Sequence, residues 1–417
     1  MTADRTDYEG TVRDAIAGFA DSHLFVEERT DVRMDLASSG LRDVVQTRTR
    51  GAAISGRRSI HITDPEFMPP ARSESDSSSA RTSRLEAQLV EAATRASSGR
   101  RHPLWSATLV SFRQQVWVGP PGRDPSHDVR RGSRLELRVR VGRARHAQAV
   151  EELVLHSDET PALVDAFVRA FDRAEQRLSG CVVAEPGTTA AVLAPGVAGV
   201  VAHELVGHAL EGDVVSRGAT WIRAATTPAP RTPITVIDDP RRGRGSWSID
   251  DEGVATGETI LIDRGRPVGV LLDQASANAL GAISTGHGRR SSYLDAVLPR
   301  MGCTFVAAGV DCAEDALRAT SSGVFIRRLA SGHTDPTSGR ASFIVSDADR
   351  IVGGRLAEPL DAFVMELDGP NSWSSIDRVA HDLAFDTCVG SCTRDGQPIA
   401  VSVGAPTIRI GVVRVHS

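Results

Sequence analysis

The chain has 417 residues, 41% of them hydrophobic and 24% charged, and a formal net charge of −5. Two or three domains are expected at this length, in a composition that is globular and neither disordered nor fibrous. The small acidic balance argues against a nucleic-acid-binding surface as the main business of the chain, and no apolar run is long enough to span a bilayer. With no charged-then-apolar leader at its start, the sequence reads as a cytoplasmic protein without a membrane or nucleic-acid partner. All 48 basic residues are arginine, which excludes a Schiff-base lysine, a phosphate-loop lysine and a serine–lysine dyad. Cys181, Cys303, Cys312, Cys388 and Cys392 are few, odd in number and scattered, as reduced thiols are. Cys388 and Cys392 lie four apart, but no second Cys/His pair of zinc-finger spacing accompanies them.

In chain order, Val12, Ala15, Ile16 and Phe19 recur at helical spacing, and LFVEERTDVRMDLAS and LRDVVQTRTRGAAIS then alternate like half-buried strands. Residues 1–68 are therefore expected to form a small α+β domain. Residues 69–83, with SESDSSSARTS at their heart, lack apolar periodicity and read as a flexible linker. Residues 84–180 form a second α+β unit: helix-like RLEAQLVEAATRA, strand-like LWSATLVSFRQQVWVG and SRLELRVRVG, then the helix PALVDAFVRAFDRAEQRL. The intervening GPPGRDPSHDVRRGS reads as an exposed loop. Residues 181–417 are β-rich, with strands or hairpins expected at ITVIDD, ETILIDRGRPVGVLLD, ASFIVSD and IAVSVGAPTIRIGVVRV and a helix at AEDALRATSSGV. The fold class is α+β, with a strand-and-helix N-terminal half and a large β-rich C-terminal domain.

The chemistry concentrates in His203-Glu204-Leu205-Val206-Gly207-His208. Two imidazoles and a carboxylate in six residues are what a hydrolytic zinc site needs, but the familiar signature spaces its histidines four apart, on one face of a helix. Five residues advance about 500° around an α-helix, roughly 140° net, so a regular helix would aim the rings apart. A bulged or broken turn at Val206 to His208 is predicted, with Gly207 supplying unusual backbone angles. A catalytic zinc usually takes three protein ligands and one water. Glu211, Asp213, a later cysteine, His287, His333 and His381 are the candidates for the third, and spacing alone does not choose among them.

HELVGHALEGD resembles the HExxxHxxEGD motif of the TldD/PmbA family of zinc metallopeptidases, in its metal-binding TldD-like form. The resemblance continues through VIDD (Val236 to Asp239), SIDDEG (Ser248 to Gly253), STGHGRRSSY (Ser284 to Tyr293), PRM (Pro299 to Met301) and DPTSG (Asp335 to Gly339). It closes with CTRDGQPIAVSVGAPTIRI, Cys392 to Ile410. It implies that Cys392 is the third ligand to one zinc ion with His203 and His208, and that Glu204 is the general base for metal-activated water. Glu211 and Asp213 would orient the imidazoles or cap the helix. His287, Arg289, Arg290 and Tyr293 would line a substrate cleft, where arginine forks suit a carboxylate or carbonyl, or the block would be a solvated loop held by structural ion pairs. His287 stands where relatives carry asparagine, and MGCTF at Met301 to Phe305 replaces a more polar run.

The implied activity is hydrolysis of peptide bonds in short or unfolded polypeptides. The implied partner is a related subunit lacking the metal motif, or a second copy of the chain. Two other functions compete: a dedicated amidase acting on a peptide-like intermediate of a specialised biosynthetic pathway, and a non-catalytic regulatory subunit. An intact Glu204 beside three ligands counts against the last.

Overall fold

A computed structural model describes residues 23–55, 60–62, 75–119, 125–143, 146–154, 163–223, 226–385 and 390–417. The helix expected around Val12 to Phe19 and the thiol of Cys388 lie outside them. The architecture is mixed α+β and mostly strand, as the sequence predicts.

Six strands build the N-terminal sheet: β1 (His23–Ala37), β2 (Gly40–Ser55), β3 (Ile60–Ile62), β4 (Leu104–Gly119), β5 (Ser126–Gly142) and β6 (His146–Val154). Their order is β3-β2-β1-β4-β5-β6, and every neighbouring pair is antiparallel. β1 pairs with β4 from Leu24↔Gly119 to Ala37↔Ser106, so the expected division between 1–68 and 84–180 does not divide the sheet. The expected linker is corrected too, because helix α1 spans Ser75–Ser97. Apolar periodicity found only the part of α1 that packs, from Leu85 through Leu89, Ala92, Ala93 and Ala96. The expected loop before SRLELRVRVG is shorter, since β5 already begins at Ser126. β6 was not predicted: of its residues only Ala149 is buried, while Glu151 and Glu152 pair with Arg169 and Arg134.

Helix α2 (Leu163–Ser179) repeats Leu163, Ala166, Phe167, Ala170, Phe171 and Ala174 at helical spacing and buries all six. They meet Leu135, Leu137, Val139 and Val141, the alternate residues of β5.

The C-terminal half is built on β7 (Gly187–Leu193), β8 (Ser322–Asp335), β9 (Arg340–Val352), β10 (Phe363–Asp368), β11 (Ser391–Arg394), β12 (Gln397–Ala400) and β13 (Ile408–His416). β7, β8, β9, β10 and β13 close into a ring: β7 pairs β8 in parallel, and the other four pairings are antiparallel. Strands Val236–Asp238, Cys303–Val306 and Ser402–Ala405 adjoin one another in a second sheet. Helix α3 (Val197–Ala202) lies against it so closely that a Cβ on Gly199 would come within 2.6 Å of the Gly404 nitrogen. Helix and sheets share one core that includes Val201, Leu205, Val206, Met301, Phe343 and Met365.

Buried charge joins the two halves. Arg130 on β5 lies 2.6 Å from Asp251 and donates to the Ile249 carbonyl at 3.0 Å. Asp251 also accepts from Arg289 Nε and from the Arg290 backbone N–H. Glu27 on β1 accepts from Gln114 Nε2 at 2.8 Å and from the Tyr293 N–H at 3.0 Å. Asp251→Ala would strand two buried guanidiniums, and chemical denaturation is expected to show a loss of about 3–5 kcal/mol.

The neighbouring carboxyls carry a pH signature. Burial pushes Asp250 up to about 6 and Glu252 up to about 7. Folded pKa values above the unfolded ones mean that the folded state holds these protons more tightly, so their contribution is fully present in acid. It is lost as pH rises toward 7. Glu252→Gln is therefore expected to match the parent near pH 4 and to gain on it up to pH 7–8, by on the order of 3 kcal/mol before solvent screening. Thermal midpoints across pH 4–8 check this, and parallel curves for the two proteins would refute it.

Candidate metal centre

α3 does not end at Ala202 but widens. His203–Gly207 form a π-helical turn, followed by a 3-10 turn at His208–Leu210. The His208 N–H donates to the His203 carbonyl, an i→i+5 bond that closes one turn over the five-residue spacing and stacks the second histidine over the first. The predicted irregularity is thus a widening that starts at His203, three residues earlier than expected. Gly207 has ordinary helical angles, φ −57° and ψ −55°, so unusual backbone geometry is not its role. A Cβ there would sit 1.9 Å from Met301 Sδ, and the glycine makes room for that side chain. Widening a turn disrupts the regular i→i+4 pattern, and the Leu205 carbonyl takes the Trp221 indole N–H at 2.9 Å. Trp221 is held in turn by the DPTSG block: its N–H donates to the Pro336 carbonyl, and its ring covers Gly339.

The structure brings His203, His208 and Cys392 together, with one donor atom from each lying within 4.8 Å of the others. The imidazole planes stand at 84° with centroids 5.1 Å apart. Cys392, on β11, lies with Sγ 3.4 Å from His208 Nε2. His208 Nδ1 is 3.0 Å from Glu211 Oε2, and this acceptor places a proton on Nδ1. His203 Nδ1 is buried and has no hydrogen-bond partner among the described residues. Burial alone would raise the Cys392 pKa, but the charge of His203 and hydrogen bonds from both imidazoles hold it well below the ordinary thiol range. Burial alone would lower His208, but Glu211 and Cys392 together outweigh it and hold His208 well above its ordinary value.

This donor set fits zinc. Tetrahedral zinc with Zn–N of about 2.0–2.1 Å and Zn–S of about 2.3 Å holds neighbouring donors roughly 3.3–3.6 Å apart, which matches the Cys392–His208 separation. Two imidazoles and a thiolate are also the mixture of donor softness that zinc prefers.

Glu204 is 16% exposed, with Oε2 3.9 Å from His208 Nε2, and its stem lies over Gly332 of β8, where a Cβ would come within 3.0 Å of Glu204 Cγ. Glu211 is buried against His208, whereas Asp213 pairs with Arg217 and Arg394.

All four residues expected to line a substrate cleft are buried, and Arg289 and Arg290 border a small crevice with Arg29, Phe112 and Gln114. His287 Nε2 meets Asp238 at 3.2 Å, and the same carboxylate accepts from the Gly302 N–H and the Thr304 hydroxyl. Arg289 stacks on Trp247 at 4.2 Å, and burial pushes its guanidinium down to about 9. Arg290 stacks on Phe25 at 4.7 Å, and the Tyr293 ring fills the space over Gly51. Arg290 and Tyr293 thus meet β1 and β2 of the N-terminal sheet, whereas His287 is held within the C-terminal half. Two other candidates for third ligand, His333 and His381, are exposed and outside the cluster. Sequence reasoning missed Trp221, Arg300 and Arg394; the last stands two residues after Cys392, where strand alternation puts it on the same face.

Two histidines on a π-interrupted helix and a cysteine from a C-terminal hairpin form a donor set able to hold a metal ion. Residues 186–417 match the PmbA/TldA metallopeptidase C-terminal domain, and the chain belongs to the TldD/PmbA family. It is 30% identical over 339 residues to the "Metalloprotease TldD homolog" of Haemophilus influenzae, covering 78% of this chain and 70% of that protein. It is 34% identical over 227 residues to a protein of the same description from Buchnera aphidicola subsp. Acyrthosiphon pisum, covering 54% of this chain and only 47% of that one. The fold is similar to that of TldE from Thermococcus kodakarensis (TM-score 0.76, 13% identity, 98% and 99% of the two chains covered). It is also similar to a Thermotoga maritima structure described as a putative modulator of a DNA gyrase (TM-score 0.74, 12% identity, 99% and 100% covered).

Trp221→Phe keeps the ring and removes only the donor to Leu205. Leaving that buried carbonyl unpaired is expected to cost about 1–3 kcal/mol in denaturant titrations. A variant as stable as the parent would show that the π turn does not need the indole.

Proposed function

We propose that the chain is a zinc-dependent peptidase hydrolysing peptide bonds in short or unfolded polypeptides, with one zinc ion held by His203, His208 and Cys392 and with Glu204 as the general base. The observation that carries this reading is the convergence of two imidazoles and a thiol from segments 184 residues apart, beside a partly exposed carboxylate. The names of relatives support it at the level of a metallopeptidase, and one from Saccharolobus solfataricus, 26% identical over 227 residues, is called a zinc metalloprotease.

Zinc, when bound, would bring the pKa of a water toward about 7 and polarise the scissile carbonyl. Glu204 would take the proton of the attacking water on its carboxylate and pass it to the leaving nitrogen. Glu211 would keep His208 in the tautomer whose Nε2 is a ligand, and Cys392 would enter as the thiolate. The reading includes a cytoplasmic location and a dimer with a related family subunit lacking the metal motif, or with a second copy of the chain. The likeness to a TldE structure is consistent with such a pairing.

The test pairs metal analysis with turnover, on the chain alone and mixed with a related family subunit. The parent is expected to hold one zinc per chain and to cleave an unfolded peptide. Glu204→Gln is expected to keep the zinc and lose roughly 10²–10⁴-fold in kcat. Undiminished turnover by this variant, or a parent without zinc, would overturn the assignment.

A further inference from the structure

Cys392 and Arg394 are alternate residues of β11, so both side chains leave the same face of the hairpin. Cys392 reaches His208 Nε2 at 3.4 Å. Arg394 Nη1 donates to Glu211 Oε2 at 2.9 Å, and that is the same oxygen that meets His208 Nδ1 at 3.0 Å. Its Nη2 pairs with Asp213, and Nη1 also points to the Pro299 carbonyl at 3.4 Å. The contacts close a ring: thiol to imidazole, imidazole to carboxylate, carboxylate to guanidinium, and guanidinium back along two residues of strand to the thiol.

We propose that Arg394 is a positioning residue for the metal cluster, a role that rests on the zinc-peptidase reading above. Glu211 is almost fully buried, its side chain 1% exposed, and a buried carboxylate held by one imidazole alone would be poorly compensated. Arg394 supplies the opposite charge and fixes which way the carboxylate faces, and the carboxylate fixes the rotation and tautomer of His208. A lysine keeps the charge, but a single ammonium has no planar fork to span Glu211 and Asp213.

The test is zinc affinity of the metal-free full chain, read by competition with a chromophoric chelator, for the parent, Arg394→Gln, Arg394→Lys, Glu211→Gln and the Arg394→Gln/Glu211→Gln double variant. Arg394→Gln and Glu211→Gln are each expected to bind zinc about 10–100-fold more weakly. The double variant is expected to be no weaker than Glu211→Gln, and Arg394→Lys to fall between parent and Arg394→Gln. Parent-like affinity in Arg394→Gln or Arg394→Lys, or losses that simply multiply in the double variant, would overturn the proposal. So would a loss of affinity accompanied by collapse of the metal-free protein's thermal midpoint, which would make Arg394 only a structural tie. A parent that binds no zinc would sink the peptidase reading and this proposal with it, whereas a zinc-binding parent with unaffected variants sinks this proposal alone.

Discussion

One backbone hydrogen bond, from the His208 N–H to the His203 carbonyl, decides whether this site exists. Closed over five residues, it places both imidazoles on one side of the helix; closed over four, it would leave them about 140° apart. Such a turn is rare because it is less favourable than the α-helix it interrupts, so the surroundings must hold it. Met301 occupies the space left by Gly207, and Trp221 takes the Leu205 carbonyl. The PRM and DPTSG blocks, far from the histidines in sequence, thus act on the same turn.

A second constraint follows from the absence of lysine. Every cation at the joint between the halves is a guanidinium, and guanidiniums can be buried flat against aromatic rings while still donating to carboxylates. Arg289 over Trp247 and Arg290 over Phe25 use the rings, and Arg130 and Arg289 both meet Asp251. The block from Ser284 to Tyr293 therefore reads in sequence like a polar surface loop and packs as an interior seam.

What was legible in the sequence was what depends on periodicity and donor chemistry. β4 matches its expected segment because its alternation is carried by its own residues, and α2 announces itself through six apolar residues at helical spacing. The widened turn was legible as a geometric necessity, although its start at His203 and the true role of Gly207 were not, because both depend on Met301, nearly a hundred residues away. β6 escaped because a partly exposed strand leaves little apolar signal. The sheet spanning the two expected N-terminal domains escaped for another reason: pairing of β1 with β4 is a long-range choice that neither strand encodes alone. Burial misled in the opposite direction at Arg289 and Arg290, whose charge suggests solvent until the acidic partners are known.

The distance between the ligands has a physical consequence of its own. His203 and His208 come from one turn, but the thiol arrives on a separate hairpin, which Arg300 holds by donating to the Cys392 carbonyl at 2.7 Å and the Gln397 carbonyl at 3.1 Å. Arg300 is itself tied, through its N–H, to the His287 carbonyl, and His287 is held by Asp238. The hairpin is thus fixed from the interior of the domain, independently of any ion.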